Sequence, residues 1–144
     1  MKKSRIWAVL FCLYGALMLW LLFDRTGYVE GIPYREQLKM NLVPFQTIVL
    51  FLKILNHPQY WKDAVVNLFG NIMMFIPLGF LLPEVFPRLG RLWKTLLATA
   101  GIITLVELAQ LFTLLGSCDT DDLILNVAGA AIGYGLHKCM RRWA

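Results

Sequence analysis

Acidic and amide side chains occur in this sequence inside or beside strongly apolar stretches, where such groups are rare. Two lie three residues apart in one stretch, and four more surround the start of the next: Glu107 and Gln110, then Asp119, Asp121, Asp122 and Asn126. An ionised side chain at the centre of a bilayer costs at least about 2.5 kcal/mol. If these stretches cross a membrane, we therefore expect Glu107 to face the protein interior and to be neutral or paired. Its chemistry would be hydrogen bonding or proton transfer.

A third apolar stretch adds two asparagines, Asn67 and Asn71, which share one face of a helix because they are four residues apart. Each group lies toward the same end of its stretch, so we expect one polar pocket that opens to the extracytoplasmic side. The predicted ligand-binding residues are Asn67, Asn71, Glu107, Gln110, Asp119, Asp122 and Asn126. The alternatives are structural: interhelical hydrogen bonds for the amides and Glu107, and helix capping for the acidic turn.

The composition indicates that membrane-spanning elements position these groups. The chain has 144 residues, of which 58% are hydrophobic and 16% charged, whereas soluble domains are roughly a quarter charged. Four apolar stretches approach the roughly 20 residues that cross a bilayer as a helix. We predict an all-α, polytopic membrane protein with one domain, residues 1–144, and a four-helix transmembrane bundle at about 6–23, 64–82, 93–115 and 122–137.

The basic residues predict an orientation for this bundle. If both termini are cytoplasmic, nine of the fourteen basic residues lie on short cytoplasmic segments, namely the two termini and the connection between the second and third predicted spans. They are Lys2, Lys3, Arg5, Arg88, Arg91, Lys94, Lys138, Arg141 and Arg142. The positive-inside rule therefore favours cytoplasmic termini. It also accounts for the net charge of +5, so we expect no nucleic-acid partner.

The outer segment between the first two predicted spans, residues 24–63, contains an apolar run at about 41–55. This run is too short to cross a membrane, and we predict an interfacial or re-entrant helix. Asn41 is expected to cap it, with Pro44 in its first turn. We expect Asn41, Pro44 and Phe45 to form an interfacial lid over the pocket, and the alternative is a plain surface loop.

Gly129 and Gly133 form a G-x-x-x-G motif in the last apolar stretch. Glycines at this spacing let another helix approach closely. The partner is a helix of the same bundle or, alternatively, a second copy of the chain in a homodimer.

Four segments resemble the VanZ-like family of small bacterial integral membrane proteins: residues 41–45, 67–83, 107–110 and 119–129. The order of these segments is more specific than any one of them. The resemblance implies a multi-pass protein of the bacterial cytoplasmic membrane with a role in the cell envelope, linked to lowered sensitivity to teicoplanin-type glycopeptides. Many members carry an arginine just before the acidic turn, whereas this chain has residues 115–118, Leu-Gly-Ser-Cys.

A binding function follows from these observations taken together. We expect the pocket to hold a lipophilic envelope molecule, either a membrane lipid or a lipid-linked cell-wall intermediate. No cofactor or metal is predicted, and no catalytic residue is assigned. The alternatives are an intramembrane carboxylate-dependent enzyme acting on an envelope lipid, for which Glu107 and an acidic-turn residue would do acid–base work, or a small transporter.

Overall fold

The computed structural model describes residues 2–23, 40–115 and 118–143. In chain order the elements are α1 (Lys2–Phe23), β1 (Met40–Asn41), α2 (Gln46–Ile54), α3 (Trp61–Val85), a 3-10 turn (Pro87–Leu89), α4 (Leu92–Thr113), β2 (Cys118–Asp119) and α5 (Thr120–Trp143). The helical fold class is confirmed. The first part of the predicted outer segment, residues 24–39, lies outside the described residues.

Three helices of the described chain are long and apolar enough to cross a membrane: Arg5–Phe23 of α1, all of α3 and all of α4. Helix α5 is not among them, so the predicted count of four spans is not established. The charged residues of its first and last turns, together with Asn126, His137 and its glycines, make α5 less apolar than the other long helices. The structure therefore supports a membrane protein with at least three candidate crossings.

Several helix ends differ from the approximate ends predicted for the membrane spans. Helix α3 continues through Pro77 and Pro83 to Val85 instead of ending at residue 82, and its contacts with α5 hold this last turn. Helix α4 ends at Thr113 because Leu114 adopts a left-handed conformation, with φ 56°. Helix α5 extends to Trp143, six residues past the predicted end. In this added part of α5, Arg141 donates two hydrogen bonds to the Glu84 carboxylate of α3, at 3.0 and 2.9 Å.

Helices α3 and α5 pack backbone to backbone, and three glycines make this possible. A Cβ atom added to Gly129 would lie 2.1 Å from the Ile72 carbonyl oxygen, and one added to Gly133 would lie 1.9 Å from that of Ile76. Gly79 on α3 faces Ala130 in the same way. The two helices run parallel, since Asn71 is bonded to Asp122 at the start of α5 and Glu84 pairs with Arg141 near its end. The G-x-x-x-G motif is thus occupied within the chain, and a homodimer through it would require α3 and α5 to separate.

Helix α1 packs against the side of this pair. Its Tyr14 hydroxyl donates a hydrogen bond to the Met74 carbonyl at 2.9 Å. Phe11 and Tyr14 also contact the buried core, which is formed by Phe75, Leu78, Leu82 and Ile103. The core therefore joins α1, α3 and α4.

A two-residue parallel pairing connects the segment before α2 with the segment before α5. Met40 pairs with Cys118, and Asn41 pairs with Asp119. Strands this short leave no alternating pattern in a sequence, and they were not predicted. The pairing brings the start of the predicted lid directly against the acidic turn.

Candidate functional site

The Asp119 carboxylate is the centre of a hydrogen-bond network that spans three parts of the chain. It accepts hydrogen bonds from the Thr47 hydroxyl at 2.6 Å, from the Asn41 amide at 3.4 Å and from the backbone N–H of Asp121 at 2.8 Å. The backbone N–H of Asp119 donates to Glu107 Oε2 at 3.0 Å. Glu107 is buried within α4. The network thus connects the deep carboxylate of α4 to the segment around α2.

Asp121, rather than Asn41, caps α2. Its carboxylate is fully buried and accepts hydrogen bonds from the backbone N–H groups of Phe45 and Ile48, the latter at 2.9 Å. These donors have no partner within their own helix, so a carboxylate from another element satisfies them. The Asn41 side-chain oxygen instead accepts from the backbone N–H of Val43 at 3.2 Å, in a local turn. The expected Asn41 cap was wrong because Asp121 occupies that position.

Asp122 extends the network to α3. Its carboxylate accepts a hydrogen bond from the Asn71 amide at 2.6 Å. Asn126, one helical turn after Asp122, is buried, and its side-chain oxygen has no hydrogen-bond partner among the described residues. The side-chain oxygen of Asn67, one turn before Asn71, is buried and likewise unpartnered in the described part of the chain. Two amide acceptors therefore remain unsatisfied near the carboxylates.

Gln110 does not join this network. Its side-chain amide donates to the carbonyl of Leu22 at 2.8 Å, which ties α4 to the end of α1. Among the expected lid residues, the Phe45 side chain is 58% exposed and its contribution is the backbone N–H bonded to Asp121. Pro44 is also exposed. The segment that was predicted to form a lid is therefore bonded to the acidic turn through Asn41, Thr47 and backbone groups.

We use the name acid–amide cluster for the residues that share these bonds or flank them: Asn41, Thr47, Asn67, Asn71, Glu107, Asp119, Asp121, Asp122 and Asn126. Sequence reasoning missed Thr47, which lies in an apolar run and gives no signal by itself. It noticed Asp121 only as part of the acidic turn, for which capping of the last helix was the alternative to a role in the pocket.

The ionisable side chains of the acid–amide cluster are all carboxylates. Glu107 lies close enough to Asp119 and Asp122 to be repelled by both charges. Within the described ranges, Lys or Arg side chains form no ion pair with these carboxylates. Their partners are neutral amides, a hydroxyl and backbone N–H groups. Burial, followed by the Glu107 and Asp119 charges, raises the pKa of the neighbouring Cys118 thiol.

This arrangement can bind a group that donates hydrogen bonds or carries positive charge, since acceptors outnumber donors in it. It is poorly suited to a cysteine nucleophile, because a raised pKa leaves less of the reactive thiolate. In the part of the chain that the structure describes, no three His, Cys, Asp or Glu side chains are arranged to hold a metal ion.

The model of the family VanZ/LLP1 matches residues 10–141 of this sequence. The chain belongs to the VanZ/LLP1 family. This membership confirms the resemblance read from the sequence. A relative with the name Protein VanZ, from Enterococcus faecium, is 26% identical over 129 residues, which cover 89% of this chain and 71% of the relative. No solved structure matches this VanZ/LLP1 member. Its acid–amide cluster lies entirely inside the matched range.

Proposed function

We propose that this VanZ/LLP1 protein acts in the bacterial cell envelope by binding a lipid-linked or lipophilic molecule through the acid–amide cluster. The observation that carries the proposal is the excess of acceptors in the cluster. Its carboxylates pair only with neutral donors in the described chain, and the side-chain oxygens of Asn67 and Asn126 have no partner there. Buried acceptors without partners cost about 1–3 kcal/mol each. A ligand that supplies donors would remove this cost.

The chemistry of the cluster favours one class of ligand. Amines, amides and sugar hydroxyls supply N–H or O–H donors, whereas a phosphate would be repelled by Glu107, Asp119 and Asp122. Helices α1, α3 and α4 are apolar enough to cross a membrane. A ligand bound beside them would therefore have its hydrocarbon part in the lipid. We therefore infer that the ligand is an envelope lipid whose headgroup carries amine, amide or sugar groups.

Native mass spectrometry of the detergent-extracted protein tests this binding. We expect a co-purifying lipid with the wild type and its loss with the double variant Asn71→Ala, Glu107→Ala. Thr113→Ala is a matched control on α4, because the Thr113 side chain is exposed and its hydroxyl bonds only to its own helix. Equal lipid binding by the double variant and the control would contradict the proposal.

Membership of the VanZ/LLP1 family supports a more specific effect, namely that the protein lowers sensitivity to teicoplanin-type glycopeptides. The measurement is the minimal inhibitory concentration of teicoplanin for a susceptible host that expresses the protein. We expect a higher concentration with the wild type and with Thr113→Ala, and the host's own value with the Asn71→Ala, Glu107→Ala variant. An unchanged concentration for all of them would remove the resistance part of the proposal and leave the lipid-binding part to be judged by mass spectrometry.

A further inference from the structure

An apolar cavity lies between α1, α3 and α4, and the proposed function does not use it. Its volume is about 160 Å³. The buried side chains of Phe75 and Leu78 on α3 form its floor, and its other lining residues belong to α1 and α4. Among the described residues, the acid–amide cluster contributes nothing to this lining. We call this space the α1 cavity.

The α1 cavity exists because α1 brings few atoms to its contact with the other helices. In the described chain, no residue between Arg5 and Phe23 is buried. Gly15 lines the cavity, and none of the described atoms lies within 4 Å of the position that its Cβ would take. Protein interiors are close-packed and have few voids larger than a water molecule. A space of this size therefore calls for an occupant.

The lining of the α1 cavity is unsuited to water. Within the described helices, no polar atom of the lining residues faces the cavity. The hydroxyl of Tyr14, one of these residues, already donates a hydrogen bond to the Met74 carbonyl at 2.9 Å. A buried water needs roughly two to four polar partners, whereas apolar cavities of about 150 Å³ stay dry and take up small apolar molecules. The suitable occupant is therefore a hydrocarbon group.

The opening of the α1 cavity faces the lipid. Leu19 of α1 and Ile102 of α4 are the exposed members of the lining, with 57% and 37% of their surface accessible. All three helices around the cavity are long and apolar enough to cross a membrane. Tyr14, Phe75 and Ile102 lie near the middle of their respective helices. A group that enters between α1 and α4 thus comes from the hydrocarbon core of the bilayer.

We propose that the α1 cavity binds one acyl chain of a membrane phospholipid. The chain enters between Leu19 and Ile102 and packs against Phe75 and Leu78, where it supplies the packing that α1 lacks. Lipid meets this opening in every bilayer, whereas a second copy of the protein would be there only in an oligomer. The cavity selects the chain and not the headgroup, because its lining is apolar. This site goes beyond the proposed function and does not depend on it.

Photolabelling in vesicles tests the proposal. The full-length protein is reconstituted with a phospholipid that carries a diazirine near the end of one acyl chain, and mass spectrometry locates the labelled residues after digestion. Met18 and Val106 line the cavity and are half-buried, whereas their neighbours Leu17 and Leu105 are exposed. A chain in the cavity should label the first pair at least as strongly as the second. Several-fold weaker labelling of the first pair would mean that lipid stays outside, and would overturn the proposal.

Two glycines provide a matched pair of variants. Gly15→Leu fills the cavity from α1, whereas Gly101 lies on α4 outside the lining. At both positions the described chain leaves the space within 4 Å of a new Cβ atom open. We expect Gly15→Leu to lower the labelling of the two cavity residues several-fold relative to the two exposed ones. Gly101→Leu should leave this ratio unchanged.

A second pair fills the cavity from the opposite wall, so that the test does not depend on one variant. Val106→Phe should lower the labelling of Met18, and Leu105→Phe should not, since Leu105 is 69% exposed. Relative to Leu17, phospholipids with phosphocholine and phosphoglycerol headgroups should label Met18 equally. Unchanged labelling of Met18 in both filled variants, an equal loss in the controls, or a strong effect of the headgroup would each contradict an acyl-chain site.

Discussion

Asp121 shows how a single buried carboxylate can fix a peripheral helix. It is fully buried on α5 and satisfies backbone N–H groups at the start of α2. We expect Asp121→Ala to destabilise the protein by about 2 kcal/mol, since it removes a helix cap and leaves donors unsatisfied. Asp121→Asn keeps one acceptor oxygen and should cost less. Thermal unfolding in detergent measures both effects.

A control for this prediction is Asp63→Ala. Asp63 lies in the first turn of α3 and is exposed, and so we expect a change of only a few tenths of a kcal/mol. If Asp121→Ala were no more destabilising than Asp63→Ala, the buried carboxylate would not be what holds α2 in place.

Cys118 reports on the electrostatics of the acid–amide cluster from its edge. Burial and the Glu107 and Asp119 charges raise the pKa of its thiol. Because only the thiolate reacts, alkylation at pH 8 should be slower than at the exposed Cys139, and its rate should keep rising at more alkaline pH. Single-cysteine variants alkylated over a range of pH give both rates. Identical pH profiles would show that burial and the neighbouring charges do not raise the pKa of Cys118.

For single residues of the site, some partners could be predicted from the sequence and others could not. Helical spacing predicted that Asn71 and Asp122 contribute to one polar pocket, and the two side chains are bonded in the structure. Gln110 shares a helix with Glu107 but bonds to α1, because three-residue spacing leaves an angle between the two side chains. Thr47 and Asp119 are 72 residues apart, and no local pattern in the sequence links them. Whether the cluster binds a ligand stays a prediction.

At the level of elements, the contact between α3 and α5 depends on residues without side chains. The Gly133 position leaves no room for a Cβ atom, whereas Gly135, two residues later, faces open space. We expect Gly133→Ala to destabilise the protein by roughly 1–3 kcal/mol, because the helices must move apart. Gly135→Ala is the matched control and should be neutral or slightly stabilising. Melting temperatures in detergent compare the two, and similar values would contradict the close packing.

The apolar stretches predicted that helices exist but not where they end. Helix α3 keeps its form past Pro83, although proline removes a backbone hydrogen bond, and its last turn is bonded to α5 through Glu84. The last turns of α5 are bonded to α3 through Arg141 and Glu84, which are 57 residues apart. Helix α2 was found as a short apolar run, yet its start depends on Asp121 of a different helix. In each case a tertiary contact accompanies the boundary, and such contacts are not visible in a local window of sequence.

At the scale of the whole molecule, the open question is whether α5 crosses the membrane together with α3. Its composition alone does not place it among the candidate crossings. Its packing argues for a crossing, because the two helices run parallel from the Asn71–Asp122 bond to the Glu84–Arg141 ion pair. A helix of 24 residues is about 36 Å long, enough for a hydrocarbon core of about 30 Å. We therefore expect α5 to cross.

Cysteine labelling in intact cells decides this point. Three proteins with one cysteine each are compared: one keeps Cys139, and the others carry Arg88→Cys or Gln46→Cys in a background without native cysteines. Positions 88 and 139 are exposed at the end where α3 and α5 finish, and position 46 is exposed at the opposite end, on α2. If α5 crosses, Cys139 and Arg88→Cys should label only after the membrane is permeabilised, since the basic residues favour a cytoplasmic location. Gln46→Cys should label in intact cells. Labelling of Cys139 from the same side as Gln46→Cys would mean that α5 does not accompany α3 across the bilayer, and the parallel packing that places Asp122 beside Asn71 would then be wrong as well.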